Sequence, residues 1–311
     1  MLRRAFINIL VFLSVLLFPL TAMVTEPYDQ QETAIDAIGL DLEESDSPSV
    51  RYWAPASGKK RVLLTVAESE LVEQAVPKRT NPKLVVFMYH NLVFGRTGNT
   101  YNRDIYNFEH DLAFIRRNFR VTDFDELIEI AEGRSKVDTD IAILTFDDGD
   151  LSMYAIAFPL LREFNLQATF FIVPSYIGEI GYMSWEQVRS MADYKDDRGQ
   201  QLFSFGSHSY SHRPLAQLQP AELQQELILS KHALEAAVGQ AVDILALPFG
   251  SGRKDPIILK TAEELGYQVV RHSDPGALSL DSINLFDVNA LNVENYSTDL
   301  LVTKVLTLLG R

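Results

Sequence analysis

Two pairs of polar side chains have the types and spacing needed to hold a metal ion. Asp147 and Asp148 directly follow a run of apolar residues, and His208 and His212 follow a second such run. Adjacent carboxylates at the end of a buried strand repel each other and lose hydration, which a bound cation offsets. Imidazoles four residues apart lie on one face of a helical turn, where they can share an ion. The pattern predicts a metal site formed by Asp148, His208 and His212.

This ligand set predicts the kind of chemistry. One carboxylate and two imidazoles, with open positions for water, suit one divalent transition metal ion: zinc as first choice, then iron, cobalt or nickel. The predicted reaction is hydrolysis with a metal-bound water as nucleophile. Asp147 is the expected general base, and His90, after a different apolar run, is the expected general acid. The backbone N–H of Phe249, after the bend at Pro248, is the expected donor to an oxyanion.

Each of these features also has a purely structural interpretation. The Asp-Asp-Gly sequence at 147–149 could be a solvated turn, and the Pro-Phe-Gly sequence at 248–250 could be a simple bend. His90 could be a hydrogen-bonded histidine of the core. The functional interpretation is favoured because all these residues follow the same end of an apolar run. The carboxyl ends of parallel strands converge on one face of a barrel, where active sites form.

The elements that must position these residues alternate along the chain from Lys83 onward. The predicted buried strands are Leu84–Tyr89, Ile141–Phe146, Ala168–Val173, Leu202–Phe205, Ile244–Leu247 and Gln268–Val270. Helices are predicted around Phe108–Phe119, at Glu126–Ala131 before Gly133, after a capping box at Ser184, and from Pro220 to Gly239. Six or seven βα units in about 230 residues predict an α/β fold, a distorted or incomplete (β/α) barrel with its active site at the C-terminal strand ends. A doubly wound open sheet is the alternative.

The first 82 residues have a different composition. A positively charged start, an apolar run over residues 5–20 and small residues after it are typical of a signal peptide, with an uncleaved anchor as the alternative. Residues 25–49 are acidic and polar, as in a solvated tether, and residues 61–66 are strand-like. We predict a signal peptide or anchor over 1–24, an acidic linker and short extension over 25–82, and the main domain over 83–311. The protein is then secreted or held at the cell surface.

Composition excludes several classes of protein. The 311 residues include no cysteine, which excludes disulfides, thiolate zinc sites and cysteine nucleophiles. With 42 acidic and 28 basic residues the formal net charge is −14, so no nucleic-acid partner is expected, although a cationic polymer would be tolerated. We expect a monomer that associates with a membrane, if at all, through its N-terminal segment.

The motifs around the predicted site resemble those of the carbohydrate esterase family 4 polysaccharide deacetylases. Thr145–Gly149 matches their Thr-Phe-Asp-Asp-Gly motif, and His208–His212 matches their His-Ser/Thr-x-x-His motif. Leu247–Gly250 is similar to their Pro-Tyr/Phe-Gly segment. The resemblance covers roughly residues 83–311. It implies a distorted (β/α) barrel in which the first aspartate of the pair is the base and the second binds the metal with both histidines.

Two departures from the family pattern narrow the resemblance. The arginine that usually precedes Pro-Tyr-Gly is replaced by Ala246. The C-terminal Leu-x-His that usually supplies the catalytic acid is absent, which leaves His272 as one candidate for that acid. One branch, which resembles the single-domain poly-β-1,6-N-acetylglucosamine deacetylases of biofilm systems, carries the acid on its first strand in a segment similar to Met88–Asn91. That resemblance implies His90 as the acid and an extracellular N-acetylglucosamine polymer as the substrate.

Three alternatives to this function stay open. The substrate could be chitin, peptidoglycan or acetylated xylan, since the metal chemistry is the same for each. The chain could also be a non-catalytic sugar-binding protein on the same fold. Trp185 is a candidate wall of a sugar cleft and equally a candidate core residue.

Overall fold

A computed structural model describes residues 76–95 and 99–311, together with the backbone of two short strands near the N-terminus. These strands, β1 (Val50–Trp53) and β2 (Arg61–Leu64), pair with each other, which confirms the predicted strand within residues 61–66. The predicted signal peptide or anchor and the acidic tether lie outside the described residues. The domain boundary at residue 82 stays a prediction.

A nine-stranded sheet forms the centre of the main domain. Its strands are β3 (Lys83–Tyr89), β6 (Arg120–Thr122), β7 (Ile141–Asp148), β8 (Ala168–Ile172), β9 (Phe203–Ser207), β10 (Ile244–Ala246), β11 (Val269–Arg271), β12 (Leu278–Ser279) and β13 (Leu291–Asn292). Two further strands, β4 (Asn91–Val93) and β5 (Asn102–Asp104), form a parallel pair. The six predicted strands are confirmed, each to within two residues at either end.

The order of the strands confirms the incomplete barrel. The sheet runs β11-β10-β9-β8-β7-β3-β12, and every pair along it is parallel except β3 with β12. The segment that contains β13 lies between β11 and β3, because the Val288 amide donates to the Val270 carbonyl and the Val293 amide donates to the Met88 carbonyl. The two outer parallel strands of the sheet therefore curl towards one another around this segment, which an open, doubly wound sheet would not allow.

Helices cover the strands. They are α1 (Ile105–Asn118), α2 (Phe124–Ala131), α3 (Phe158–Phe164), α4 (Trp185–Ala192), α5 (Pro220–Val238), α6 (Pro256–Glu264) and α7 (Thr298–Leu309). The predicted capping box of α4 is confirmed, with reciprocal hydrogen bonds between Ser184 and Gln187. Gly239 ends α5 in the left-handed conformation with φ 70°, as glycine does after a helix. None of the described helices is long and apolar enough to cross a membrane.

The core explains why the strands are apolar over most of their length. Alternate residues of a strand point to opposite faces, so Ile244 and Ala246 join a cluster with Ile143, whereas Leu245 packs with Leu227 of α5. A parallel strand covered on both faces needs apolar residues at every position. Charged side chains are therefore found only near the ends of the strands of this sheet.

Candidate active site

The C-terminal ends of six strands open into one cavity of about 510 Å³. The predicted site residues that line it are His90, Asp147, Asp148, His208, His212 and Phe249. They come from the ends of β3, β7 and β9 and from the segments that follow β9 and β10. Convergence at this edge is what the strand-end argument predicts.

The end of β7 turns sharply at the two aspartates. Asp148 has φ 84° and Gly149 has φ 96°, and the first of these is a strained conformation for a residue with a side chain. The turn directs Asp148 Oδ1 to 3.5 Å from His208 Nε2 and 3.3 Å from His212 Nε2. Asp147 Oδ2 lies 3.7 Å from the same nitrogen of His208. Both carboxylates therefore face the histidines.

Asp148, His208 and His212 fit a divalent metal ion. One ligand atom from each lies within 4.8 Å of the others. The Nδ1 of His208 contacts the Ala246 carbonyl at 2.8 Å and donates to it, so Nε2 presents its lone pair to the site. Asp148 Oδ1 is buried and has no hydrogen-bond partner among the described residues, which is the environment of a carboxylate that binds a cation.

Burial sets the protonation of these ligands. It lowers the pKa of His208 to about 3, so this imidazole is neutral and free to bind a metal across the physiological range. Burial, with the neighbouring charge of Asp147, raises the pKa of Asp148 to about 6, although His90 and Arg271 act in the opposite direction. A cation bound at the site would offset the cost of burying the ionised Asp148 carboxylate.

The segment after β9 is not the predicted helical turn. No helix forms at residues 208–212, and Ser209 and His212 both have φ 58°. The His212 amide donates to Ser209 Oγ at 3.0 Å, and the amide and hydroxyl of Ser211 donate to the Glu226 carboxylate of α5. The two imidazoles lie close together because this loop turns back on itself. The expected helical turn is wrong, although the two histidines do face each other.

Arg271, at the end of β11, is a site residue that we did not predict. Its Nη2 donates to Asp147 Oδ1 at 2.5 Å, and its side chain is 1% exposed. Burial alone would raise the pKa of Asp147, but the Arg271 guanidinium, helped by His208 and His90, holds it below its ordinary value. Arg271 pairs across the sheet with Ala246, the position of the family's usual arginine. An arginine at the end of an apolar strand was the signal that could have identified it.

His90 lies beside the base at the end of β3. Tyr89 pairs with Phe146 across β3 and β7, so the next residues of the two strands, His90 and Asp147, are neighbours. The Nδ1 of His90 is buried without a hydrogen-bond partner in the described part of the chain. Its ring packs against Tyr101, with centroids 4.9 Å apart. Among the described residues, packing on Tyr101 is a contact that orients the His90 ring.

The remaining candidates have different positions. His272 is buried outside this cavity with its Nε2 3.0 Å from Asp287 Oδ1, so it does not reach the site as an acid. Phe249 has φ 58° and packs on His212 with centroids 4.5 Å apart, while Pro248 is buried behind it. Trp185 begins α4, after the turns that follow β8, and does not line the cavity. Phe249 and Tyr101 supply the aromatic walls that we expected from Trp185.

Comparisons with known proteins agree with this geometry. Residues 134–270 match the sequence profile of the polysaccharide deacetylase family. YxkH of Bacillus subtilis, named as a polysaccharide deacetylase, is 29% identical over 64% of this chain and 67% of its own length. A poly-β-1,6-N-acetyl-D-glucosamine N-deacetylase of Staphylococcus aureus is 24% identical over 40% of this chain and 47% of its own. These matches support a polysaccharide deacetylase.

A solved structure shows the same fold. The Streptococcus pyogenes deacetylase PplD, determined in complex with acetate, superposes with a TM-score of 0.63. The alignment covers 72% of this chain and 99% of PplD at 20% sequence identity. This likeness supports the incomplete barrel.

Proposed function

We propose that this chain is a metal-dependent polysaccharide deacetylase that removes N-acetyl groups from extracellular poly-β-1,6-N-acetylglucosamine. The observation that carries the proposal is the convergence of an Asp-His-His ligand set, an arginine-held carboxylate and a free imidazole in one cavity. A buried assembly of this kind is costly to a fold unless it performs chemistry.

In this proposal Asp148, His208 and His212 would hold a divalent metal ion. A divalent ion at such a site lowers the pKa of water and polarises a carbonyl oxygen. The hydrogen bond from His208 Nδ1 to the Ala246 carbonyl keeps the ring turned so that its other nitrogen faces the ligand set. Asp148 and His212 both have positive φ, and these strained backbone conformations bring their side chains close to Nε2 of His208.

Asp147 and His90 move the protons. Asp147 is ionised because Arg271 holds its pKa low, so its free Oδ2 accepts a proton from the attacking water. His90, on the adjoining strand, gives a proton to the nitrogen that leaves as the amine. The Phe249 N–H, after the bend that Pro248 begins, donates to the developing oxyanion.

Two features support the poly-N-acetylglucosamine substrate over its alternatives. The imidazole acid comes from the first barrel strand, and Ala246 stands where the family usually has an arginine, and both departures resemble this branch of the family. The staphylococcal relative is named for that substrate. A chain of net charge −14 also suits a product that becomes cationic as acetyl groups are removed.

Export completes the proposal. A polymer outside the cell requires an enzyme outside the cytoplasm, which the signal-like residues 1–24 would provide by cleavage or by anchoring.

A panel of polymers tests the function. We expect acetate release from poly-β-1,6-N-acetylglucosamine, loss of that release with a chelator, and its return when zinc, cobalt or nickel is added. Chitin oligomers, peptidoglycan and acetylxylan serve as the competing substrates. Acetate released from xylan esters alone would contradict the proposed substrate, and purified protein without metal or activity would favour a sugar-binding role.

A second arm of this experiment tests the acid. His90→Ala should lower kcat on the polymer by about 10² to 10⁴-fold, because general acid catalysis contributes that much. His110→Ala is the matched control, since His110 lies on the outer face of α1 and bonds the Tyr106 carbonyl. Full activity of His90→Ala would show that another group protonates the amine.

A further inference from the structure

We infer that Asn292 is the residue that selects an acetamide over an acetyl ester, by accepting a hydrogen bond from the N–H of the group to be cleaved. This inference rests on the proposed function, because it names a specificity determinant of the same site. Nothing in the motifs of the sequence pointed to this residue.

The amide of Asn292 has one orientation. Its Nδ2 donates to Glu294 Oε1 at 3.2 Å. An ionised carboxylate only accepts hydrogen bonds, so the atom that faces Glu294 must be the nitrogen. The other amide atom, Oδ1, is therefore fixed as an acceptor on the remaining side of the group.

That acceptor is left without a donor. Asn292 Oδ1 is buried and no described residue gives it a hydrogen bond, although Asn292 lines the same cavity as His90 and Asp147. A buried acceptor without a partner is unfavourable unless a ligand satisfies it. The donor that the site lacks is then supplied by the substrate.

The position of Asn292 identifies that donor. Asn292 pairs with Met88 across β13 and β3, so it lies on the strand next to the one that carries His90 two residues later. Its backbone is held by the Tyr296 hydroxyl, which donates to the Asn292 carbonyl, and by the neighbouring Val293 amide, which donates to Met88. The nitrogen that receives a proton from His90 must lie beside this wall. Its N–H is present in an amide and missing from an ester.

Asn292→Ala separates the two substrates. On an N-acetylglucosamine oligosaccharide, kcat/KM should fall about tenfold, whereas on an O-acetylated sugar of equal length it should stay within about twofold, because only the amide loses a hydrogen bond. Glu294→Ala frees the Asn292 carboxamide to rotate. The ratio of kcat/KM on the amide to kcat/KM on the ester should then change by about threefold. Asn289→Ala is the control, since Asn289 lies on the same segment and its amide donates to the Asp274 carbonyl.

Binding gives a readout that does not need turnover. In an Asp147→Asn background, calorimetry should show that Asn292→Ala weakens binding of the N-acetylated oligosaccharide and leaves binding of the O-acetylated one unchanged. Equal losses on both substrates, or no loss on either, would overturn the inference. Failure of the wild-type chain to release acetate from any polymer would defeat the proposed function instead, and the binding comparison would still decide the role of Asn292.

Discussion

At the scale of single residues, the site depends on how a buried carboxylate is kept ionised. Asp147 has almost no contact with water, and burial works against its charge. Arg271 reverses the balance through a short hydrogen bond, and its own Nη1 also reaches Met88 Sδ at 2.8 Å. The pKa of the base is therefore lowered by a cation on β11, which is four strands away from β7 in the order of the sheet.

Replacing Arg271 should change both the rate and its pH dependence. In Arg271→Gln, burial is no longer opposed by the guanidinium, so the pKa of Asp147 rises and the acidic limb of the kcat/KM profile moves to higher pH. Loss of the positioning hydrogen bond should lower kcat by about hundredfold. Acetate release measured between about pH 4 and 9 follows both effects.

The control for this variant is a guanidinium nearby that does not reach the base. Arg253 pairs with Asp274 at 2.7 Å and is partly exposed. Arg253→Gln should leave the acidic limb in place, and Arg271→Lys should restore part of the lost rate. An unmoved limb in a folded Arg271→Gln protein would show that Arg271 has a structural role only.

At the scale of elements, the irregular loop after β9 depends on α5. Residues 208–212 form no helix or strand of their own, and within the loop the His212 amide donates to Ser209 Oγ. Glu226 of α5 accepts both the amide and the hydroxyl of Ser211, the residue before that ligand. Buried against the loop, this carboxylate connects the metal site to a 19-residue helix.

Removing that connection should weaken the metal site without unfolding the barrel. We expect Glu226→Ala to lower metal affinity by about 10 to 100-fold, the usual effect of losing a residue that orients a ligand. Competition with a chromogenic chelator measures the affinity, and circular dichroism checks the fold. Gln225→Ala, at an exposed position of the same helix turn, is the control and should have unchanged affinity. Unchanged affinity in Glu226→Ala would show that the loop keeps its shape alone.

At the scale of the whole domain, the two ends of β7 serve different purposes. The carboxyl end carries the aspartates, and Asp140, just before the amino end, is a buried carboxylate that collects several donors. It accepts from the Lys83 amide at 2.9 Å, from Arg79 Nε at 3.1 Å and from both terminal nitrogens of Arg311. Eight residues of strand place this cluster about 25 Å from the catalytic end.

Asp140 should therefore matter for stability and little for catalysis. Asp140→Ala leaves the Lys83 amide and two cations without their acceptor, and we expect the free energy of unfolding to fall by about 2 to 3 kcal/mol. Urea unfolding of the metal-loaded protein measures this, and kcat at low temperature should stay within about twofold of wild type. Asp138→Ala, whose pair with Lys78 is exposed, should have no measurable effect. A large loss of kcat in folded Asp140→Ala protein would mean that the two ends of β7 are coupled.

The sequence by itself determined the strands, their direction and most of the site. Runs such as Ile141–Phe146 are apolar at all positions but one because a parallel strand is buried on both faces, and the aspartates that follow this run therefore had to lie at a strand end. His90, Asp147, Asp148, His208 and His212 could be placed together for this reason alone.

Only the tertiary structure decided which residues complete the site. Arg271 and Asn292 are more than a hundred residues from Asp147 in the chain, and although an arginine at a strand end is a signal, its partner is known only once the barrel places β11 and β13 beside the other strands. The loop at 208–212 was likewise beyond local patterns, because a contact with Glu226 of α5 fixes its shape. Local periodicity records which face of an element is buried. It does not predict which residue from a distant part of the chain pairs with a buried charge, as Arg271 does with Asp147.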